Sequence, residues 1–81
     1  EIVAQRLAAA PNDSEARFQM AAHQVRDNDV EGAMENLLQL LQQDRGFGDD
    51  AAKHALLKLF EIVGDDPAVG RFRTRMFTLL H

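Results

Sequence analysis

Apolar residues recur along this chain at intervals of three and four, the period of a helix with one buried face. Ile2, Val3 and Leu7 mark a short helix over 2–9 that stops at Pro11. Asn12, Asp13 and Ser14 are good N-cap types, and Glu15 lies three after Asn12, as in a capping box. A second helix then runs to about Asp27 with Phe18, Ala21, Ala22 and Val25 as its apolar face. Asp27-Asn28-Asp29 reads as a tight turn, with Asn28 suited to a left-handed backbone and Asp29 to capping the next helix. The third helix, 30–43, has the widest stripe: Val30, Ala33, Met34, Leu37, Leu38, Leu40 and Leu41. Such a stripe should pack on its hairpin partner and on the helix that follows. Residues 44–50 hold two glycines and form a linker. A fourth helix, about 50–63, is expected to bury Ala52, Ala55, Leu56, Leu59, Phe60 and Val63 before Gly64 ends it. Asp66-Pro67 then sets an N-cap with proline at the first helical position. The last helix reaches Leu80 with Val69, Phe72, Met76, Leu79 and Leu80 on one face. Val and Ile never alternate with polar residues, so no strand is expected and the fold class is all-α.

A repeat underlies this punctuation. Pro11 and Arg45 stand 34 residues apart, each after a helix and before a polar cap. One helix-turn-helix unit lies between them and resembles a tetratricopeptide repeat. Ala21 and Ala33 sit at its small positions, Asn28-Asp29 at its turn, and Leu37 and Leu40 at its next packing positions. Three residues depart from the pattern: Arg17 at the usual tryptophan position, Arg45 at the usual proline, and Pro67 at a small-residue position of the last hairpin. The expected architecture is one domain over 1–81, a tetratricopeptide-like array of about five antiparallel helices. Residues 1–10 are the second helix of a truncated repeat, 12–45 a complete repeat, and 48–81 a degenerate capping hairpin.

A narrower resemblance covers nearly the whole chain. Ala16-Arg17-Phe18, the linker Asp44-Arg45-Gly46-Phe47 with Asp49-Asp50-Ala51, the run Ala55-Leu56-Leu57-Lys58-Leu59-Phe60-Glu61, and the tail from Arg71-Phe72-Arg73 to Leu79-Leu80 carry it. In these the chain is similar to the C-terminal region of thioredoxin-like proteins of the YbbN (CnoX) type. That resemblance implies a bacterial cytoplasmic protein with a thioredoxin-fold domain ahead of this segment. It also implies a co-chaperone role that holds client proteins and passes them to a chaperonin.

Composition narrows the function classes. The net charge is −4, a poor basis for phosphate contacts, so nucleic acid is not an expected partner. No apolar run approaches the ~20 residues needed to span a bilayer, so no membrane is expected. Cysteine is absent, which excludes a thiol redox centre or zinc-thiolate site in this stretch and fits a reducing compartment. The chain opens at Glu1 and reads as a piece of a longer protein. Asp27, Asp29, Glu31 and Gly32 mimic the start of an EF-hand loop, but its twelfth position, which needs a bidentate acid, is Leu38. His23, His54 and His81 are too scattered to form a metal set. No nucleophile-base pairing and no phosphate loop is present. The expected inventory of catalytic, cofactor and metal residues is therefore empty.

Two surfaces remain for a protein partner. The family's clamp for peptide C-termini uses lysine and asparagine on the first helices. Here the matching positions are Phe18, Gln19 and Ala22, so a face of Glu15, Phe18, Ala22 and Arg26 would suit an apolar or extended segment, unless Phe18 packs inside the hairpin. The second surface is the tail. All thirteen acids lie at or before Asp66, and the three arginines after it form a basic island. Arg73, Phe77 and Leu80 would form an apolar ridge rimmed by arginine for a partner such as a chaperonin. The bland alternative is a capping helix whose arginines serve its own C-terminus. Three functions stay open: an interaction module of a thioredoxin-like co-chaperone, a homo-oligomerisation module through the exposed first helix, and a substrate-positioning accessory domain of a thioredoxin-fold oxidoreductase.

Overall fold

The computed structural model describes residues 13–80 together with Gln5, Ala9 and Ala10. The described residues form four helices and no strand: α1 (Ser14–Arg26), α2 (Val30–Gln43), α3 (Ala51–Val63) and α4 (Pro67–Leu80). The helix expected over 2–9, and any dimer through it, fall outside the described residues but for Gln5 and Ala9.

Each helix start follows from local chemistry. Asp13 caps α1, its carboxylate accepting from the Ala16 N–H at 3.0 Å. The capping box expected of Asn12 and Glu15 falls outside the described residues at Asn12, and Glu15 accepts from Gln19 Nε2 at 3.3 Å. Asn28 adopts φ 65°, and Asp29 caps α2 by accepting from the Gly32 N–H at 3.1 Å. A Cβ at Gly32 would press into that Asp29 carboxylate and the Gln24 amide, so the cap and the glycine belong together. Before α3, Gly48, Asp49 and Asp50 are all left-handed. Asp50 occupies the N-cap position without a side-chain cap bond, so its charge alone favours the helix end. Asp66 Oδ1 accepts from the Ala68 N–H at 2.8 Å, as the Asp-Pro pair predicts.

The core centres on α2. Ala33, Met34, Leu37, Leu38, Leu40 and Leu41 are all buried, and α2 packs on α1, α3 and α4. The α1/α2 pair makes the most extensive contact, and the small Ala21 and Ala33 are buried in the core that they share. α3 and α4 touch each other less than either touches α2, and Leu56, Phe60, Phe72 and Met76 bring their buried faces into the core. Ala55, Val63, Leu79 and Leu80 are half-buried rather than enclosed.

The departures from the repeat pattern have structural roles. Arg17 is buried and donates from Nη1 to Asn36 Oδ1 at 2.8 Å, and Asn36 donates onward to Gln24 Oε1 at 2.6 Å. Arg45 donates from Nη2 to the Leu79 carbonyl, capping the last helix from the linker. The tail's basic island meets the acids of α2. Arg75 forms a bidentate pair with Glu35 at 2.7–2.8 Å, and Arg71 approaches Glu31 at 3.6 Å.

Hydrogen bonding from Arg75 holds the Glu35 carboxyl below its ordinary value of 4.5. A carboxyl lowered in the folded state stabilises fully above its ordinary value, and that contribution is lost as pH falls through the lowered one. Both partners are about half exposed, so solvent screening keeps the pair to less than about 1 kcal/mol. Glu35→Gln should therefore cost a few tenths of a kcal/mol in urea stability at neutral pH. In acid, its midpoint should converge with that of the parent.

Candidate functional site

α1 and α3 lie on one face of α2, and a hollow of about 330 Å³ opens between them. Phe18, Ala22 and Val25 face it from α1, and Ala55, Lys58 and Ile62 from α3, with Ala21, Leu37 and Leu59 beneath. The helical period explains the lining. Residues 18, 22 and 25, and 55, 58 and 62, form stripes at i, i+3 or i+4, and i+7 beside the core stripes of the same helices. The Phe18 ring meets Phe47 of the linker at 5.9 Å between centroids, tilted by 52°. Other apolar side chains of the lining stand in solvent: Val25 is 40% exposed and Ile62 69%. The lining is apolar except for Lys58, which makes no ion pair within 4.0 Å among the described residues.

Of the first predicted surface, the structure places Phe18 and Ala22 in this groove. Phe18 is half-buried, so it serves both core and groove. Glu15 and Arg26 do not line the hollow. Glu15 is bonded to Gln19, and Arg26 approaches Asp27 at 3.7 Å. Of the apolar face expected of α1, Ala21 is buried, Phe18 is half-buried, and Ala22 and Val25 are exposed, because α1 turns only Ala16, Arg17 and Ala21 fully inward. Lys58 and Ile62 were not foreseen. The available signal was that Ile62 lies off the 52–56–59–63 core stripe yet three residues after Leu59.

The second predicted surface lies on α4, apart from the groove. The Arg73 guanidinium sits 5.5 Å from the centroid of the Phe60 ring, a cation–π contact. Phe77 is 49% exposed, and Leu80 is half-buried against the core. Arg71 and Arg75 meet Glu31 and Glu35, so two of the three tail arginines face acids of α2.

The remaining hollows offer less. One of about 260 Å³ between α2 and α4 is rimmed by Gln39, Gln42, Thr74 and Thr78, and the two threonines donate to carbonyls of their own helix. Another at the Asn28 turn is lined by Asp29, Glu31 and Asp66. The calcium-loop spacing there is not realised, because residues 30–43 are helical and Asp29 caps them. Among the described residues no three His, Cys, Asp or Glu side chains gather as a metal set. None of the described helices is long and apolar enough to cross a membrane.

Comparison with the curated proteins and with the solved structures gives no match. A tetratricopeptide-repeat family model matches residues 1–81. Such repeats are non-catalytic units that generally bind other proteins. The helix-turn-helix array, the extensive α1/α2 contact, and this match over the full length agree: the chain belongs to the tetratricopeptide repeat family.

Proposed function

We propose that this chain is a protein-holding module that takes an apolar segment of another protein between α1 and α3. The supporting observation is the convergence of Phe18, Ala22, Val25 and Ile62 from two helices on one open hollow, with Ile62 69% exposed. Single exposed apolar residues are ordinary, whereas a contiguous group lining a concavity is a binding feature. On this reading 12–45 is a complete repeat and 48–81 a capping hairpin. The resemblance in linker and tail extends the proposal to a co-chaperone of the thioredoxin-like kind. Its partners would be client proteins or a chaperonin in a bacterial cytoplasm. A second contact, for a folding machine rather than a client, is favoured at Arg73, Phe77 and Leu80 by the half-exposed Phe77 ring.

Light scattering of a heat-labile client enzyme tests this. The wild-type chain should suppress the scattering. Ile62→Asp should lose most of that effect with unchanged helicity, because a charge in the groove opposes apolar docking and an exposed site tolerates it. The Arg73→Ala/Phe77→Ala double variant should retain it. Loss in the double variant with retention in Ile62→Asp would move client binding to the tail. No suppression by the wild type would reject the holding role.

A further inference from the structure

Resting on the groove reading, we infer that the groove selects a segment pairing one bulky apolar side chain with a neighbouring acidic side chain, and that Lys58 recognises the acid. Two features support this. The first is shape. The lining combines the small side chains of Ala21, Ala22 and Ala55 with the larger Phe18, Val25, Leu59 and Ile62. A bulky side chain such as Leu, Met or Phe fits over the alanines. The hollow's 330 Å³ is at the small end for a binding pocket, enough for a few side chains. The second is charge. Arg26, Arg71 and Arg75 each have an acidic neighbour within 4.0 Å. Lys58, like Arg45, Lys53 and Arg73, has none among the described residues, and of those residues it is the one charged side chain that lines the hollow. Lys58 is exposed, so its ammonium is open to a carboxylate on an arriving segment and favours that partner by charge complementarity.

The acid is a side chain within the segment rather than a chain terminus. A terminal carboxylate needs several converging donors, and Phe18 and Ala22 supply none from the facing helix. A carboxylate on one side of an extended or helical segment needs only the single flexible ammonium of Lys58.

The test uses random peptides displayed with flanking sequence on both sides, beside a parallel library ending in a free carboxylate. Both are selected on the wild-type chain, on Lys58→Glu and on Ala22→Trp, a variant that fills the groove from an exposed position. Enrichment of Leu, Met or Phe with a nearby Asp or Glu in the flanked library is expected on the wild type. Lys58→Glu should replace that acid preference with Lys or Arg and weaken the selected acidic peptides about five- to tenfold. Ala22→Trp should abolish enrichment. Apolar peptides selected without acids, an acid preference unmoved by Lys58→Glu, or enrichment only in the free-carboxylate library would overturn the Lys58 inference and leave the groove standing. Selection that Ala22→Trp does not alter would overturn both.

Discussion

Leu40→Ala should leave this chain largely unfolded at physiological temperature, the largest effect expected of any single truncation in α2. Leu40 is fully buried (0% exposed) in a helix that packs on all three others. Truncating a buried leucine costs about 2–5 kcal/mol, the upper values applying where the surroundings cannot collapse into the cavity. Here they cannot readily collapse, since Leu37, Leu38 and Leu41 are themselves buried in the same cluster, on a helix held by three others. A domain of this size has a stability near the low end of roughly 5–15 kcal/mol, so the loss consumes much of it. Urea unfolding followed by far-ultraviolet circular dichroism checks this. A midpoint within error of the parent would mean that α2 is not the centre of the core.

The two phenylalanines of α4 should separate sharply. Phe72 is buried, and its ring also lies 5.3 Å from the Arg75 guanidinium. Phe72→Ala should cost about 3–5 kcal/mol, through lost burial and a cavity where α4 meets the core. Phe77 is half exposed and should cost within about 0.5 kcal/mol when replaced by alanine, as surface positions usually do. The contrast has a functional use. Phe77→Ala probes the tail as a docking surface without disturbing the fold, whereas Phe72→Ala cannot. Thermal denaturation of the two variants side by side decides it, and equal losses would mean that α4 is seated differently.

The punctuation of this chain was legible because it is local. Asp29 and Gly32 start α2, Asp66-Pro67 starts α4, and Gly64 ends α3 at φ 78°, each through contacts within a few residues. The all-helical class and the repeat followed from the same signals. The groove was only half legible. Phe18 and Ala22 were placed on it from the repeat's register, but the apolar period does not say which side of a stripe meets the core. It groups Val25 with the apolar face of α1 without showing that it stands in solvent, and it does not single out Lys58 or Ile62. The pairing of Arg71 and Arg75 with Glu31 and Glu35 depends on how α4 lies across α2. Both pairs are spaced i, i+4, a matching signal that only the tertiary arrangement makes meaningful. Arg45 shows the same limit, since its bond to the Leu79 carbonyl links residues from two separate segments.

The most direct test of the central claim is an amide chemical-shift titration of the chain with an unfolded client polypeptide. The groove reading predicts that the perturbed amides cluster at Ala22, Val25, Ala55, Lys58 and Ile62, with Arg73 and Phe77 unmoved. Perturbations confined to Arg73, Phe77 and Leu80, or none at saturating client, would contradict it.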